Sequence, residues 1–301
     1  MQFIKETHID FIEKRKMALT FSLILIFAGI VSLIIHGGPK LGIDFTGGTS
    51  MQLRFENEVD IGEIRNILSD IGLGSAEIKE FGVDNEILIR IQQQRQNEDV
   101  SDNVINELSD KLPGNKLEIR MNEAVGPRIG NELRRTTIWA ILAALILILI
   151  YISWRFEFKF AVGAVAALFH DVLITLGVFS VLGLELSLAI IAAFLTIIGY
   201  SLNDTIVVFD RIRENLKLLR REEYINIFNI SINQTLSRTI LTSMTTFVVV
   251  IILFFFGGEV IHNFSFALVI GVIVGTYSSV FIASPVVVEW YLKKEKDKKV
   301  R

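Results

Sequence analysis

The sequence has no cysteine and little proline or histidine, and these absences exclude several classes of site. Without cysteine, neither a disulfide framework nor a thiolate metal centre can form. The four histidines are scattered, and no two of them have the spacing of metal ligands. No pattern of a nucleophile with its base stands out, so an enzyme is the least expected reading. We therefore expect no metal, no cofactor and no catalytic residue.

Hydrophobic runs are what the chain has in abundance, with 51% hydrophobic residues and a mean hydropathy of +0.50. The first run ends in His36-Gly37-Gly38-Pro39, which does not resemble a signal-peptide cleavage site, so we interpret it as an uncleaved span. Each run is long enough to cross the hydrocarbon core of a bilayer. Six transmembrane helices are predicted, at 17–35, 137–153, 160–182, 186–209, 239–256 and 264–288.

Basic residues alternate with these runs in a way that predicts orientation. The short loops at 183–185 and 257–263 contain no lysine or arginine, whereas the other connections and both ends are basic. Lysine and arginine favour the cytoplasmic side of a membrane. The predicted cytoplasmic segments are therefore the N-terminus at 1–16, the loop at 154–159, the segment at 210–238 and the basic tail at 289–301. Because these basic segments lie beside the hydrophobic spans, an orientation signal is the simpler interpretation of their charge. Nothing indicates nucleic-acid binding.

The segment at 210–238 is charged on one side and apolar at Ile225, Phe228 and Ile232. This amphipathic pattern predicts a helix lying at the cytoplasmic surface of the membrane.

Residues 36–135 form a polar block in which the hydrophobic period changes between that of strands and that of helices. Asp60 is a plausible N-terminal cap for the first helix, and a turn is expected at 82–85. The predicted strands are 50–55, 76–81, 86–91 and 116–121, with helices near 61–71 and 101–108. This order is βαββαβ, typical of a ferredoxin-like α+β domain. Together, the sequence predicts a polytopic α-helical membrane protein whose first and second helices are separated by this extracytoplasmic α+β domain.

A glycine-rich run opens the polar block. It lacks a lysine at the spacing of a phosphate-binding loop, so a turn that links the first span to the domain is the better interpretation. The residues of this domain-linker motif are Gly42, Asp44, Phe45, Gly47 and Gly48.

Asp204 lies in the fourth predicted span, where a charged side chain costs about 2.5 kcal/mol or more unless it has a partner or water. Tyr200 and Ser201 share its helical face at i−4 and i−3, and Asn203 precedes it directly. We expect Asp204 to be functional. The alternative is a permanently protonated residue that only holds helices together.

Arg238 stands where the fifth predicted span begins, and Thr242 continues its face. Because Arg238 and Asp204 fall at a similar depth, we expect them to pair and so reduce each other's desolvation cost. A carboxyl group balanced between burial and a nearby guanidinium can load and unload a proton. The alternative for Arg238 is that it merely extends to the interface.

His170 and Asp171 lie mid-way along the third predicted span. A structural, hydrogen-bonded carboxylate and a relay site are about equally supported for Asp171, and a structural role is favoured for His170.

Three motifs resemble those of the SecF family, the smaller half of the bacterial SecDF protein-export factor. They are LGIDFTGG at 41–48, FHDV at 169–172, and IGYSLNDT at 198–205 running into VVFDRIREN at 207–215. The resemblance covers nearly the whole chain, and the third motif is highly specific. SecD has a related glycine-rich motif but a much larger external region.

The resemblance implies a member of the resistance-nodulation-division superfamily in the bacterial cytoplasmic (inner) membrane. It implies pairing with SecD, association with the SecYEG channel, SecA and YajC, and use of the proton-motive force to move a preprotein outward. The family's coupling carboxylate and arginine would fall on Asp204 and Arg238. The alternatives are a non-transducing scaffold of the translocon and a small-molecule exporter of the same superfamily, which would normally have twelve spans in one chain.

Overall fold

The computed structural model describes residues 7–80, 85–92 and 100–300, apart from the side chains of 259, 296 and 298–300. The chain divides into two compact units. A helical unit holds the chain up to Lys40 and from Ile141 onward, and an α+β unit spans Leu41–Ala140. In chain order the elements are α1 (Arg15–Ile35), α2 (Ile43–Thr46), β1 (Gly48–Phe55), α3 (Ile61–Asp70), β2 (Glu77–Glu80), β3 (Glu86–Ile91), α4 (Val100–Lys111), β4 (Leu117–Val125), α5 (Pro127–Arg155), α6 (Phe158–Val181), α7 (Leu188–Leu218), α8 (Tyr224–Phe256), α9 (Glu259–Ser278), a π-helical turn (Ser279–Ala283) and α10 (Ser284–Val300).

Six helices among the described residues are long and apolar enough to span a membrane, which confirms the six predicted spans. The sixth runs through α9, the π-helical turn and α10 over Val260–Glu295. The second begins at Pro127, well before the predicted start at residue 137. Proline suits this first helical position because the N–H it lacks would have no partner there.

The prediction of a separate surface helix at 210–238 is wrong. α7 continues to Leu218, and after a short turn α8 begins at Tyr224. The apolar residues that suggested membrane contact, Phe228 and Ile232, are buried in the core of the helical unit together with Ile212. The amphipathic pattern is real, but its apolar face packs against other helices of the same chain.

The first helix packs closely along α6 through small residues. A Cβ added at Gly29 would lie 2.7 Å from the Cα of Gly177, so the two backbones are nearly in contact. Ser32 and Ser180 join the same helices by a hydrogen bond of 2.8 Å. Close approach through small residues is the usual basis of helix association in membranes, where lipid offers no hydrophobic driving force.

The α+β unit has the predicted ferredoxin-like order. Its sheet is antiparallel throughout, with strand order β2-β3-β1-β4. Apolar residues of α3 and α4 pack with those of the sheet into one core that includes Phe55, Leu68 and Leu108. The side chain of Asp60 accepts a hydrogen bond from the amide of Gly62, which confirms the predicted cap of α3. Residues 82–84 of the predicted turn at 82–85 lie outside the described residues.

The domain-linker motif forms α2 and the entry into β1. Gly42 precedes α2, which contains Asp44 and the buried Phe45. Gly47 and Gly48 have φ of 75° and 141°, values that favour glycine. A Cβ at Gly47 would lie 2.8 Å from the Cα of Pro127, and one at Gly48 would lie 2.5 Å from the carbonyl oxygen of Ile91.

Candidate functional site

Asp171 on α6 is fully buried and makes three hydrogen bonds. Its Oδ2 accepts from the hydroxyls of Ser201 on α7 at 2.5 Å and Ser278 on α9 at 2.8 Å. Its Oδ1 lies 2.9 Å from Nδ1 of His170. Three helices therefore meet at one carboxylate whose oxygens are both satisfied.

The network continues from His170 to the first helix. Nε2 of His170 lies 2.9 Å from the hydroxyl of Ser22 on α1, and Ser22 lies 3.2 Å from the hydroxyl of Tyr277 on α9. Tyr277 in turn donates to the carbonyl of Ala18 at 2.8 Å. The Tyr277 ring is stacked on the His170 ring, with centroids 5.9 Å apart. We call the seven residues of this system the Asp171 network: Ala18, Ser22, His170, Asp171, Ser201, Tyr277 and Ser278.

The order Ser22–His170–Asp171 is that of a serine-hydrolase triad, which the sequence pattern did not reveal. In such a triad the serine oxygen must reach a substrate carbonyl beside donors that stabilise the oxyanion. Ser22 is 2% exposed and His170 is 4% exposed, and both lie between helices that cross the apolar region. The arrangement therefore supports a structural or proton-binding role better than hydrolysis.

Asp204 on α7 is also buried, at 3% exposure, but it is held loosely. It accepts from the hydroxyls of Thr242 and Ser243 on α8, both at 3.3 Å. Hydroxyl donors usually lie about 2.5–3.0 Å from their acceptors, so both bonds are long. The Thr242 hydroxyl also lies within bonding distance of the carbonyls of Arg238 and Thr239, which compete for its single hydrogen.

The predicted pair of Asp204 and Arg238 is not formed in the described part of the chain. No ion pair joins these two side chains there, and Arg238 is exposed on α8. The two residues do lie at a similar level of their helices, since Thr242, one turn after Arg238, reaches Asp204. Arg238 thus belongs to the same region of the helical unit, but it lies on a face that this chain does not cover.

The polar residues around Asp204 on α7 have different surroundings. Ser201, predicted to share its face, bonds Asp171 instead. The buried hydroxyl of Tyr200 has no hydrogen-bond partner among the described residues, and Asn203 is exposed.

Beyond Asp204, the hydrogen bonds lead through α8 to α9. Thr276 donates to Ser243 at 2.8 Å, and both residues line an apolar groove of about 440 Å³ between α8 and α9. Within the described residues, no group of three histidine, aspartate or glutamate side chains could hold a metal ion.

Sequence reasoning missed five residues that these sites use: Ser22, Ser243, Thr276, Tyr277 and Ser278. A signal was present, because hydroxyl residues are concentrated at 276–279 in the sixth span and Ser22 interrupts the first. Polar residues in membrane helices usually face protein.

Two family profiles match the chain. One, described as protein export membrane protein SecD/SecF, C-terminal, covers residues 104–293, and the other, the SecD/SecF GG motif, covers residues 32–59. The second match contains the domain-linker motif.

Individual proteins match over almost the full length. The protein translocase subunit SecF of Desulfurispirillum indicum is 48% identical, with 97% of this chain and 96% of that protein covered. A crystal structure of SecDF, a translocon-associated membrane protein from Thermus thermophilus, matches with a TM-score of 0.85 and 40% identity. That match covers 95% of this chain and 39% of the other, so this chain spans well under half of that protein. A second structure, of SecDF in a super-membrane-facing form, has a TM-score of 0.74 and 38% identity over 100% of this chain and 41% of the other. With a profile match over more than half its length and close full-length relatives, the chain belongs to the SecF family of protein translocase subunits.

Proposed function

We propose that this chain works with SecD as a proton-driven subunit of the Sec export machinery. In this proposal it lies in the bacterial inner membrane with both termini in the cytoplasm and the α+β unit outside. SecYEG, SecA and YajC are its expected partners. SecA moves the preprotein with ATP, and the SecD–SecF pair then uses the proton-motive force to promote its release on the outer side.

The observation that carries this proposal is the loose hold on Asp204. Among the described residues, Asp204 accepts only from two hydroxyls at 3.3 Å, one of them shared with backbone carbonyls, so a change in its protonation or partners breaks no short hydrogen bond. Asp171 is held more tightly, by three groups at 2.5–2.9 Å.

The exposed Arg238 supports a partner chain at this face. A guanidinium within a membrane-spanning helix is costly unless it meets a carboxylate, water or the interface. Because Arg238 makes no ion pair in the described part of the chain, a second subunit is the natural source of its partner. In the Thermus structure named SecDF, the portion beyond this chain's match is large enough to contain such a subunit.

The driving force is sufficient for a mechanical step. One charge crossing the membrane releases about 2.3 kcal/mol per 100 mV, before any contribution from a pH difference. In the proposed cycle, protonation of Asp204 weakens its attraction to Arg238 and to SecD, and the packing of α7 against α8 changes.

Preprotein translocation into vesicles that contain this chain with SecD tests the proposal. Asp204→Asn keeps the size of the side chain but cannot ionise, so we expect normal assembly and loss of the gradient-dependent stimulation only. Asp210→Asn is the matched control. It lies on the same helix and removes a carboxylate that pairs with Arg155 at 3.1 Å, and we expect it to keep the stimulation.

Two alternatives predict other results. A non-transducing scaffold predicts that Asp204→Asn responds to the gradient as wild type does. A small-molecule exporter of the same superfamily predicts gradient-driven efflux of dyes from vesicles and no effect on preprotein. Replacing the imposed proton gradient by a sodium gradient identifies the coupling ion.

A further inference from the structure

The hydrogen bonds of the Asp171 network can each be assigned a hydrogen. A carbonyl oxygen only accepts, so the contact between Tyr277 and Ala18 at 2.8 Å uses the one hydrogen of the tyrosine hydroxyl. The neighbouring contact, from Ser22 to Tyr277, is long at 3.2 Å, and the only hydrogen it can use is that of Ser22.

This assignment determines which atom donates in the contact between His170 and Ser22. With its own hydrogen directed to Tyr277, Ser22 can only accept from His170, and the 2.9 Å contact needs a hydrogen on Nε2. The contact between Nδ1 and Asp171 Oδ1, also 2.9 Å, needs one more hydrogen on either atom. The His170–Asp171 pair therefore carries two hydrogens, and its net charge is zero whether imidazolium faces carboxylate or imidazole faces carboxylic acid.

Removal of one proton from the His170–Asp171 pair leaves too few hydrogens to maintain all of these hydrogen bonds. A neutral imidazole beside an ionised Asp171 keeps its hydrogen on Nδ1, and Nε2 becomes an acceptor. Ser22 then turns its hydrogen from Tyr277 to Nε2, and the contact between α1 and α9 at Ser22 and Tyr277 loses its hydrogen bond. The pair also acquires a net negative charge at a site where Asp171 is 0% exposed, which is unfavourable.

We propose that His170 and Asp171 form a second proton-binding site, separate from Asp204, whose proton maintains the hydrogen bond between Ser22 on α1 and Tyr277 on α9. The ligand is a proton. On release the proton passes to solvent, Nδ1 keeps its hydrogen toward Asp171, and Ser22 redirects its own. This inference rests on the contacts alone and does not depend on coupling at Asp204.

The surroundings of the pair are consistent with this assignment. From α1 it is faced by Ser22, from α9 by Tyr277 and Ser278, and from α7 by Ser201. Of these only Tyr277 is ionisable, and its hydroxyl is held by Ala18. The next carboxylate on α7, Asp204, accepts from hydroxyls of α8 and not from this network.

The test is nitrogen NMR of the full chain in lipid bilayers, with histidine labelled on both ring nitrogens. The chain has four histidines, and the His170 signals are those lost in His170→Gln. We expect Nε2 of His170 to carry a hydrogen at neutral pH, shown by one-bond coupling. A bare Nε2 at neutral pH would overturn the assignment of two hydrogens.

The link to Tyr277 is tested by Tyr277→Phe, which keeps the ring stacked on His170 and removes only the hydroxyl. Because coupling is reciprocal, loss of this acceptor should lower the ratio of Nε2 with hydrogen to Nε2 without it by about fivefold. Ser32→Ala is the control, since it removes a buried hydroxyl between α1 and α6 and should leave His170 unchanged. An unchanged ratio in Tyr277→Phe, or an equal change in Ser32→Ala, would overturn the link.

Discussion

Asp171 and Asp204 are both carboxylates buried among the membrane-spanning helices, and they differ in the hydrogen bonds that hold them. Asp171 has three partners at 2.5–2.9 Å, from α6, α7 and α9. Asp204 has two partners at 3.3 Å, both on α8. Burial alone therefore does not distinguish a carboxylate held by several short hydrogen bonds from one held by a few long ones. The number and length of its hydrogen bonds do.

The difference between the two sites also follows the burial of the helices around them. Among the spans, α6 and α7 are about half buried in their most apolar stretches, at 56% and 50%, whereas α8 is 17% buried. Asp171 lies where central helices surround it, and Asp204 lies against a helix with an uncovered outer face. A partner chain can pack beside a site of the second kind, whereas the contacts of the first kind all come from within this chain.

The same substitution at both positions should give the largest contrast. In Asp171→Asn, an amide group replaces an oxygen that accepts a hydrogen bond, and a buried pair with His170 is broken. We expect a loss of about 3 kcal/mol or more in the free energy of unfolding. In Asp204→Asn we expect less than about 1 kcal/mol. Denaturant unfolding in mild detergent measures both, and equal losses would remove the distinction.

Disrupting the packing of α1 on α6 should give the next largest effect on stability. Gly29→Val places side-chain atoms where Gly177 already lies within 2.7 Å, so we expect a destabilisation of about 1–3 kcal/mol. Gly199→Ala on α7 is the control, because no atom lies within 4 Å of the added Cβ, and it should be neutral or stabilising. The unfolding experiment measures both. A tolerated Gly29→Val would mean that polar contacts alone hold α1 in place.

Two tyrosines allow a finer comparison of the sites. Tyr277→Phe removes a hydroxyl that bonds Ala18 and Ser22, and should cost about 1 kcal/mol of unfolding free energy. Tyr200→Phe removes a buried hydroxyl without a partner in the described part of the chain, and should be neutral or slightly stabilising. If Tyr200→Phe instead lowers translocation while stability is unchanged, its hydroxyl serves function and not folding.

Arg238→Gln should have the smallest effect on the stability of the isolated chain, within about 0.5 kcal/mol, because the side chain is exposed. When SecD is present we expect the substitution to abolish gradient-dependent translocation. A large loss of stability in the isolated chain would show that Arg238 is paired within it, contrary to the description above.

Several features could be predicted from sequence because one physical signal dominates each. The six spans follow from hydropathy, and the βαββαβ order follows from the change between two hydrophobic periods. The cap at Asp60 is a local interaction between residues close in sequence. Such features do not require knowledge of which helices are neighbours.

The contacts between helices could not be predicted in this way. Helical spacing correctly places Ser201 and Asp204 near each other on α7, but it does not show that Ser201 meets α6 while Asp204 meets α8. The apolar stripe of 210–238 likewise has the same pattern whether it faces lipid or the core of its own chain. The rotation of each helix decides these contacts, and rotation depends on the whole packed bundle.

The π-helical turn at Ser279–Ala283 adds a geometric consequence for the sixth span. It follows directly after Ser278, the donor to Asp171, and the hydroxyl of Ser284 reaches back to the carbonyl of Ser279 at 3.0 Å. One extra residue in a turn rotates the following helix about its axis by about 100°, the rotation of one α-helical residue, relative to an uninterrupted helix. The described side chains of α10 therefore face directions that an uninterrupted continuation of α9 could not give them.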